Sequence, residues 1–263
     1  MRRFEPMGGV TVYDLQRASS FKRFSAFLFD FIILSILAVG FGFALSAITG
    51  YDARLDEYQA HIERYEAEYG VDLEITAEEY EALGEDEKKY FDEVEKKFGS
   101  DGQVLLTLNM VFNLTLLVIT LGVFLAFLVL EFAVPLAFGN GQTLGKKIFG
   151  VGIMFNNGVK INSLGLFVRS ILGKYTVETM IPILIVLMII FFGAGMLGAV
   201  ALVLIPVMEA ILFFATRNRS LVHDVLSGTV TVDMSSQMIF DTYNDMLAYK
   251  TRVHAEAVEK SKY

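Results

Sequence analysis

The chain has 263 residues, 54% of them hydrophobic and none of them cysteine, with a mean hydropathy of +0.51. The lack of cysteine excludes disulfides, thiolate catalysis and cysteine zinc sites, and several apolar runs are as long as the ~20 residues a bilayer span needs, which argues against a soluble enzyme. The formal charge of −8 is uneven: residues 51–103 hold 18 acids and 6 bases, a net of −12, which leaves +4 for the rest.

Residues 1–20 read as a loosely ordered arm carrying Arg2, Arg3 and Arg17. Lys22 and Arg23 stand at the entrance of a first membrane helix, Phe24 to Thr49, whose interior charge is Asp30. It has no small-residue cleavage site after it, so it reads as a retained span and not as a signal peptide.

Residues 50–103 change character. Leu55, Tyr58, Ile62, Tyr65 and Tyr69 recur at spacings of three and four, the seam of an amphipathic helix. Thr76 followed by Glu79 predicts a capping box opening a second helix, with Tyr80, Leu83, Phe91, Val94 and Phe98 on its apolar face. The expected object is an acidic, extracytoplasmic helical hairpin.

A second span is predicted from about Leu105 to Phe138, with Glu131 its single charge. In the segment that follows, Val151–Phe155 and Val159–Ile161 flank Asn156-Asn157-Gly158, chemistry suited to a tight β-hairpin. Residues 164–179 carry Arg169, Lys174 and Glu178 among apolar positions and read as a helix entering through the interface. The run from Met180 to Ala215 has one acid, Glu209, and no base. As one helix it would be about 54 Å long at 1.5 Å per residue, against a ~30 Å core, so Gly193-Ala194-Gly195 and Gly198 are expected to break it into two. That makes four spans. In the tail, Ser220 is expected to cap a short helix ended by Gly228. The Val/Thr alternation to Val232 predicts a strand able to pair with the hairpin, and the last residues a charged helix or disorder.

Lys and Arg number 5 in the arm to Arg23, 5 in 139–175 and 6 after 216. By the positive-inside rule these three segments are cytoplasmic, both termini included, in a multi-pass protein of the cell membrane.

Three motifs, at membrane boundaries and in this order, resemble the RDD family of membrane proteins: Arg23-x-x-Ala26-x-x-x-Asp30; Gly141-Gln-Thr-Leu-Gly-Lys146 to Gly150, with Asn157-Gly158 and Arg169 beyond; and Arg219-x-x-x-His223-Asp224-x-x-x-Gly228-Thr229. The resemblance covers about 21–49 and 104–233, so the acidic hairpin reads as an insertion, and 234–263 as a cytoplasmic tail. It implies an all-α membrane fold, a four-helix bundle with a small cytoplasmic β element; transport has been suggested for the family, whose role is poorly defined, so the resemblance supplies architecture rather than mechanism. Arg23, Asp30 and Asp224 are its motif residues, with Lys146, Arg169, Arg219 and His223 in support.

Arg23 and Asp30 are seven residues and about 10 Å apart in height, too far for a direct pair, so each needs a partner elsewhere; for Arg23 the natural one is Asp224. Gly141–Lys146 lacks phosphate-loop spacing and a preceding strand. No nucleophile stands with His223-Asp224, His61 and His254 show no metal-ligand spacing, the methionines suit packing, and the basic clusters are flanks of spans. No enzyme activity, cofactor, metal or nucleic acid is therefore expected. Asp30, Glu131, Glu209 and Glu178 each lie roughly 6–12 Å inside one membrane boundary at 1.5 Å per residue. Buried acids usually face a bundle interior or a wet cavity, so the first three are expected to converge on one polar cavity open to the cytoplasm, with Glu178 a fourth candidate. Pro135 and Pro182 free the carbonyls of Glu131 and Glu178, and a carboxylate beside a freed carbonyl suits a cation or a proton relay. The function expected is binding or transport of a cation or small solute. The alternative is a scaffold or assembly adaptor recruiting a protein partner through the acidic hairpin and tail.

Overall fold

In lipid an apolar segment must satisfy its own backbone, and a helix does so within one segment. The computed structural model describes residues 15–193, 195–216 and 218–260, and among these four helices are long and apolar enough to cross a membrane: Ser20–Thr49, Gly102–Phe138, Ser163–Phe191 and Gly195–Ala215. The first is α1. The second comprises α5 (Gly102–Phe127), a π-helical turn (Leu128–Ala133) and α6 (Val134–Phe138). The third comprises α8 (Ser163–Phe167), a π-helical stretch (Val168–Met180) and α9 (Ile181–Phe192), and the fourth is α10 (Gly195–Ala215). Arg2, Arg3, Ala194, Arg217 and the last three residues lie outside the described residues.

The third span starts earlier than the hydropathy suggested. Its polar first half, read from the sequence as a helix entering through the interface, is continuous with α9, and the polar residues of 168–180 find partners inside the protein. The break before α10 falls at Gly193, whose φ of 61° is a left-handed conformation open to glycine. Gly198 does not turn the chain; it is buried within α10.

The two π-helical stretches have a common cause. Proline lacks an N–H and its ring crowds the carbonyl four residues back, and Pro135 and Pro182 each follow a stretch in which the ladder has widened. Val134 N–H bonds to Val129 O and Ile181 N–H to Thr176 O, five residues back in each case.

The chain forms two units, one of residues to Ala38 with those from Phe124, the other Val39–Val123. In the first, β1 (Val151–Phe155) pairs antiparallel with β2 (Thr229–Asp233), from Val151 opposite Asp233 to Phe155 opposite Thr229. The Asn156–Gly158 turn is present, closed by Phe155 N–H to Val159 O at 2.9 Å. Beyond it the expected second strand is reduced to isolated bridges, Lys160 to Met154 and Val159 to Phe240. Asp233 N–H donates to Gln16 O on the far side of β2, so the arm adds to the sheet edge. Short helices α7 (Leu144–Ile148) and α11 (Val222–Ser227) flank the sheet, and α12 (Tyr243–Lys260) ends the described chain. The cap of α11 differs from expectation: Leu221, not Ser220, is its N-cap, because the Asp224 carboxylate reaches back to Leu221 N–H. Gly228 ends it as expected, at φ 63°.

In the second unit α2 (Tyr51–Tyr69) carries the expected seam, with Ile62 and Tyr65 buried and Leu55 exposed. The predicted partner helix is two helices, α3 (Ala77–Ala82), opened by the Thr76–Glu79 capping box, and α4 (Glu85–Phe98). Extended Leu83 and Gly84 separate them, since Glu87 caps Gly84 N–H afresh. Tyr65, Val94 and Val104 form the core, with Tyr58, Tyr69 and Phe98 against it. Tyr65 Oη and Arg64 both donate to Asp101 at 3.0 Å, joining α2 to the start of α5.

Candidate functional site

The charged residues within and beside the spans gather into two clusters, both in the first unit. The first is built on Asp30, buried on α1. Its Oδ1 accepts the Gly145 backbone N–H at 2.7 Å and its Oδ2 accepts the Thr143 hydroxyl. Asp30 thus caps α7 from another helix, where a carboxylate suits free N–H groups and the dipole. Gly145 permits this approach, for a Cβ there would sit 2.9 Å from the Asp30 carboxyl and collide with Ala26 O. The glycine-rich motif therefore holds a carboxylate of its own chain.

Lys146, also buried, donates to Thr143 Oγ1 at 3.0 Å. Its ammonium lies 3.6 Å from Glu131 Oε2 and 3.8 Å from Asp30 Oδ2. Burial pushes the Lys146 amine down, only partly opposed by Glu131 and Asp30, to a pKa of about 8. The other Glu131 oxygen accepts from Lys174 at 2.5 Å. Lys174 therefore neutralises Glu131 across two spans, and not Glu178 one turn along its own helix. The carbonyl of Glu131, freed by Pro135, accepts the Ser170 hydroxyl at 2.7 Å. It is a helix–helix hydrogen bond instead of an open ligand.

The second cluster surrounds α11. Arg169, 2% exposed, donates to Asp224 Oδ1 and, at 2.6 Å, to Thr229 Oγ1. Arg23 lies 3.5 Å from Asp224 Oδ2, so the expected partner is present but is the second of two. Burial alone would raise the Asp224 carboxyl. The Arg169 guanidinium, with His223 and Arg23, outweighs it and holds Asp224 below the usual carboxylate range. Arg23 also donates to Arg219 O at 2.9 Å, and Arg219 to Ser20 Oγ at 2.6 Å.

Glu178 of the third span accepts the His223 backbone N–H at 2.8 Å, and His223 Nδ1 lies 2.7 and 2.9 Å from its two oxygens. A carboxylate only accepts, so Nδ1 carries the hydrogen. Burial, followed by the nearby Arg169, pushes the His223 imidazole below its ordinary value. Glu209 of the fourth span accepts the neighbouring Val222 N–H at 3.2 Å. Gly173 lets α11 approach, since a Cβ there would meet His223 Cβ at 2.6 Å.

The four acids expected in one cavity are thus divided. Asp30 and Glu131 share Lys146, whereas Glu209 joins Glu178 at α11, because adjacent backbone donors of one short helix draw both carboxyls there. Sequence reasoning missed Thr143 and Ser170 as partners of Asp30 and Glu131; only the freed Glu131 carbonyl signalled that some donor must come from another helix. Among the described residues, no three of His, Asp and Glu gather as a metal centre.

No curated protein and no solved structure matches the chain. The family model that does match is the RDD family, over residues 17–228. That span takes in both clusters to the end of α11, and the chain belongs to the RDD family.

Proposed function

We propose that this membrane protein binds or moves a cation or small charged solute across the bilayer, with no enzymatic turnover, and that its ionic clusters are the parts that rearrange. One observation carries the reading. Five carboxyls (Asp30, Glu131, Glu178, Glu209, Asp224) and four bases (Arg23, Lys146, Arg169, Lys174) are drawn into an otherwise apolar set of helices and their caps. Such groups cost several kcal/mol each to desolvate, and in membrane proteins they mark ion and substrate pathways. Packing alone would be served by apolar residues. Both π-helical stretches coincide with these residues, and such widenings concentrate at functional sites.

The Lys/Arg partition supports placing both termini in the cytoplasm and residues 51–103 outside, as an inserted hairpin. Purified protein in proteoliposomes tests the reading through sodium, potassium and lithium flux with a trapped pH dye. Flux in the parent that falls at least tenfold in Asp30→Asn is expected. Absence of flux for these cations and for a panel of small charged solutes would overturn it. A stable complex recovered through the hairpin would then favour the adaptor role.

A further inference from the structure

Glu178 and Glu209 come from different spans and accept adjacent amides of α11, His223 N–H and Val222 N–H. Val222 N–H satisfies one oxygen of Glu209. The other, Oε1, is enclosed by protein and has no donor. A buried acceptor without a donor costs about 1–3 kcal/mol, more when charged, and two ionised carboxylates drawn to adjacent amides repel.

Among the described residues the neighbouring charged groups are engaged elsewhere. On the third span Lys174 is engaged by Glu131 and Arg169 by Asp224. From α1, Arg23 faces Asp224, and Arg219 of the loop donates to Ser20. On α11, His223 has its Nδ1 hydrogen on Glu178, and its Nε2 is 3.9 Å from Asp224, beyond hydrogen-bond reach. The enclosed oxygen marks where one hydrogen belongs.

We propose that Glu178 and Glu209 bind one proton between them, as an O–H of one carboxyl donated to the other, and that this proton fastens α11 to the third and fourth spans. Both carboxyls then keep their backbone donors, the orphaned oxygen joins a hydrogen bond, and one of the two like charges is removed. Two like carboxyls sharing a site titrate as a pair. The docked state holds a proton that the released state does not, so docking is favoured at low pH and weakens as pH rises through the titration of the pair. The site stands apart from the Asp30–Lys146 cluster and does not depend on the transport reading.

Infrared titration of the purified full-length protein in nanodiscs tests this. A protonated-carboxyl C=O band at neutral pH is expected, lost on alkaline titration and absent from both Glu209→Gln and Glu178→Gln. No such band in the parent, or one retained in both variants, overturns the proposal whether or not the protein transports. The cysteine-free chain allows a second readout, a spin label at Val225→Cys on the exposed face of α11. Label mobility should rise at alkaline pH with Glu209 in place. In Glu209→Gln it should stay at its neutral-pH value, since the amide supplies a permanent N–H donor. The same alkaline rise in both would overturn the proposal.

Discussion

Asp30 on the first span and Gly145 at the start of α7 are joined by a 2.7 Å backbone hydrogen bond, and no side chain larger than hydrogen fits at 145. Gly145→Ala should therefore act as an overpacking change, costing about 1–3 kcal/mol, with a lower thermal midpoint in detergent. Asp30→Asn keeps one acceptor for Gly145 N–H but withdraws the charge beside Lys146. It should cost less than Asp30→Ala, and equal losses would show that the cap contributes little.

Arg169 and Asp224 form a buried pair that also holds Thr229 at 2.6 Å. Removing one partner strands a charge, so Asp224→Asn should destabilise by about 3–5 kcal/mol. Arg169→Met combined with Asp224→Asn should recover part of that loss. Arg169→Lys should not substitute, since a single ammonium does not reproduce the planar fork. Chemical unfolding of the parent, Arg169→Met, Asp224→Asn and the double variant checks the cycle; additive losses would mean the two residues act separately.

Ser170 offers the Glu131 carbonyl its bond at 2.7 Å. Ser170→Ala leaves a buried acceptor unpaired, at about 1–3 kcal/mol. In Ser170→Ala combined with Pro135→Ala the carbonyl can regain a helical partner, so the second change should restore stability. A double variant less stable than Ser170→Ala would refute this account of the π-helical turn.

Lys146 has a pKa near 8 when folded, set first by burial, against 10.5 for the free side chain. Between those values the unfolded chain holds the proton that the folded one has lost, so this residue's contribution to stability rises with pH across the window, by at most ~1.4 kcal/mol per unit. Unfolding at pH 8 and pH 10 should show that rise in the parent but not in Lys146→Met. A parent whose difference between the two pH values matches the variant's would contradict it.

The second unit closes on its own core of Tyr65, Val94 and Val104. Replacing residues 53–100 by a short flexible linker should leave a monodisperse protein in detergent. Aggregation would show that the hairpin is needed for folding. In sealed vesicles, cleavage of the tail after residue 233 from outside would refute the proposed topology.

The sequence by itself determined the number of spans, the first strand of the hairpin, the Gly193 break, the Thr76–Glu79 cap and the β-strand of the tail. These depend on hydropathy, glycine and proline chemistry and local capping, which act over a few residues. Tertiary structure decided the partners. Lys174 is four residues from Glu178 yet bonds Glu131, forty-three residues away, because a π-widened helix turns it toward the second span. Glu209 joins Glu178 and not Asp30 because two adjacent amides of α11 need acceptors and Gly173 lets that helix come close. A carboxylate is recognisable in a sequence as expensive to bury, but which donor meets that cost depends on helix rotation and close approach, and those are fixed by contacts between segments far apart in the chain.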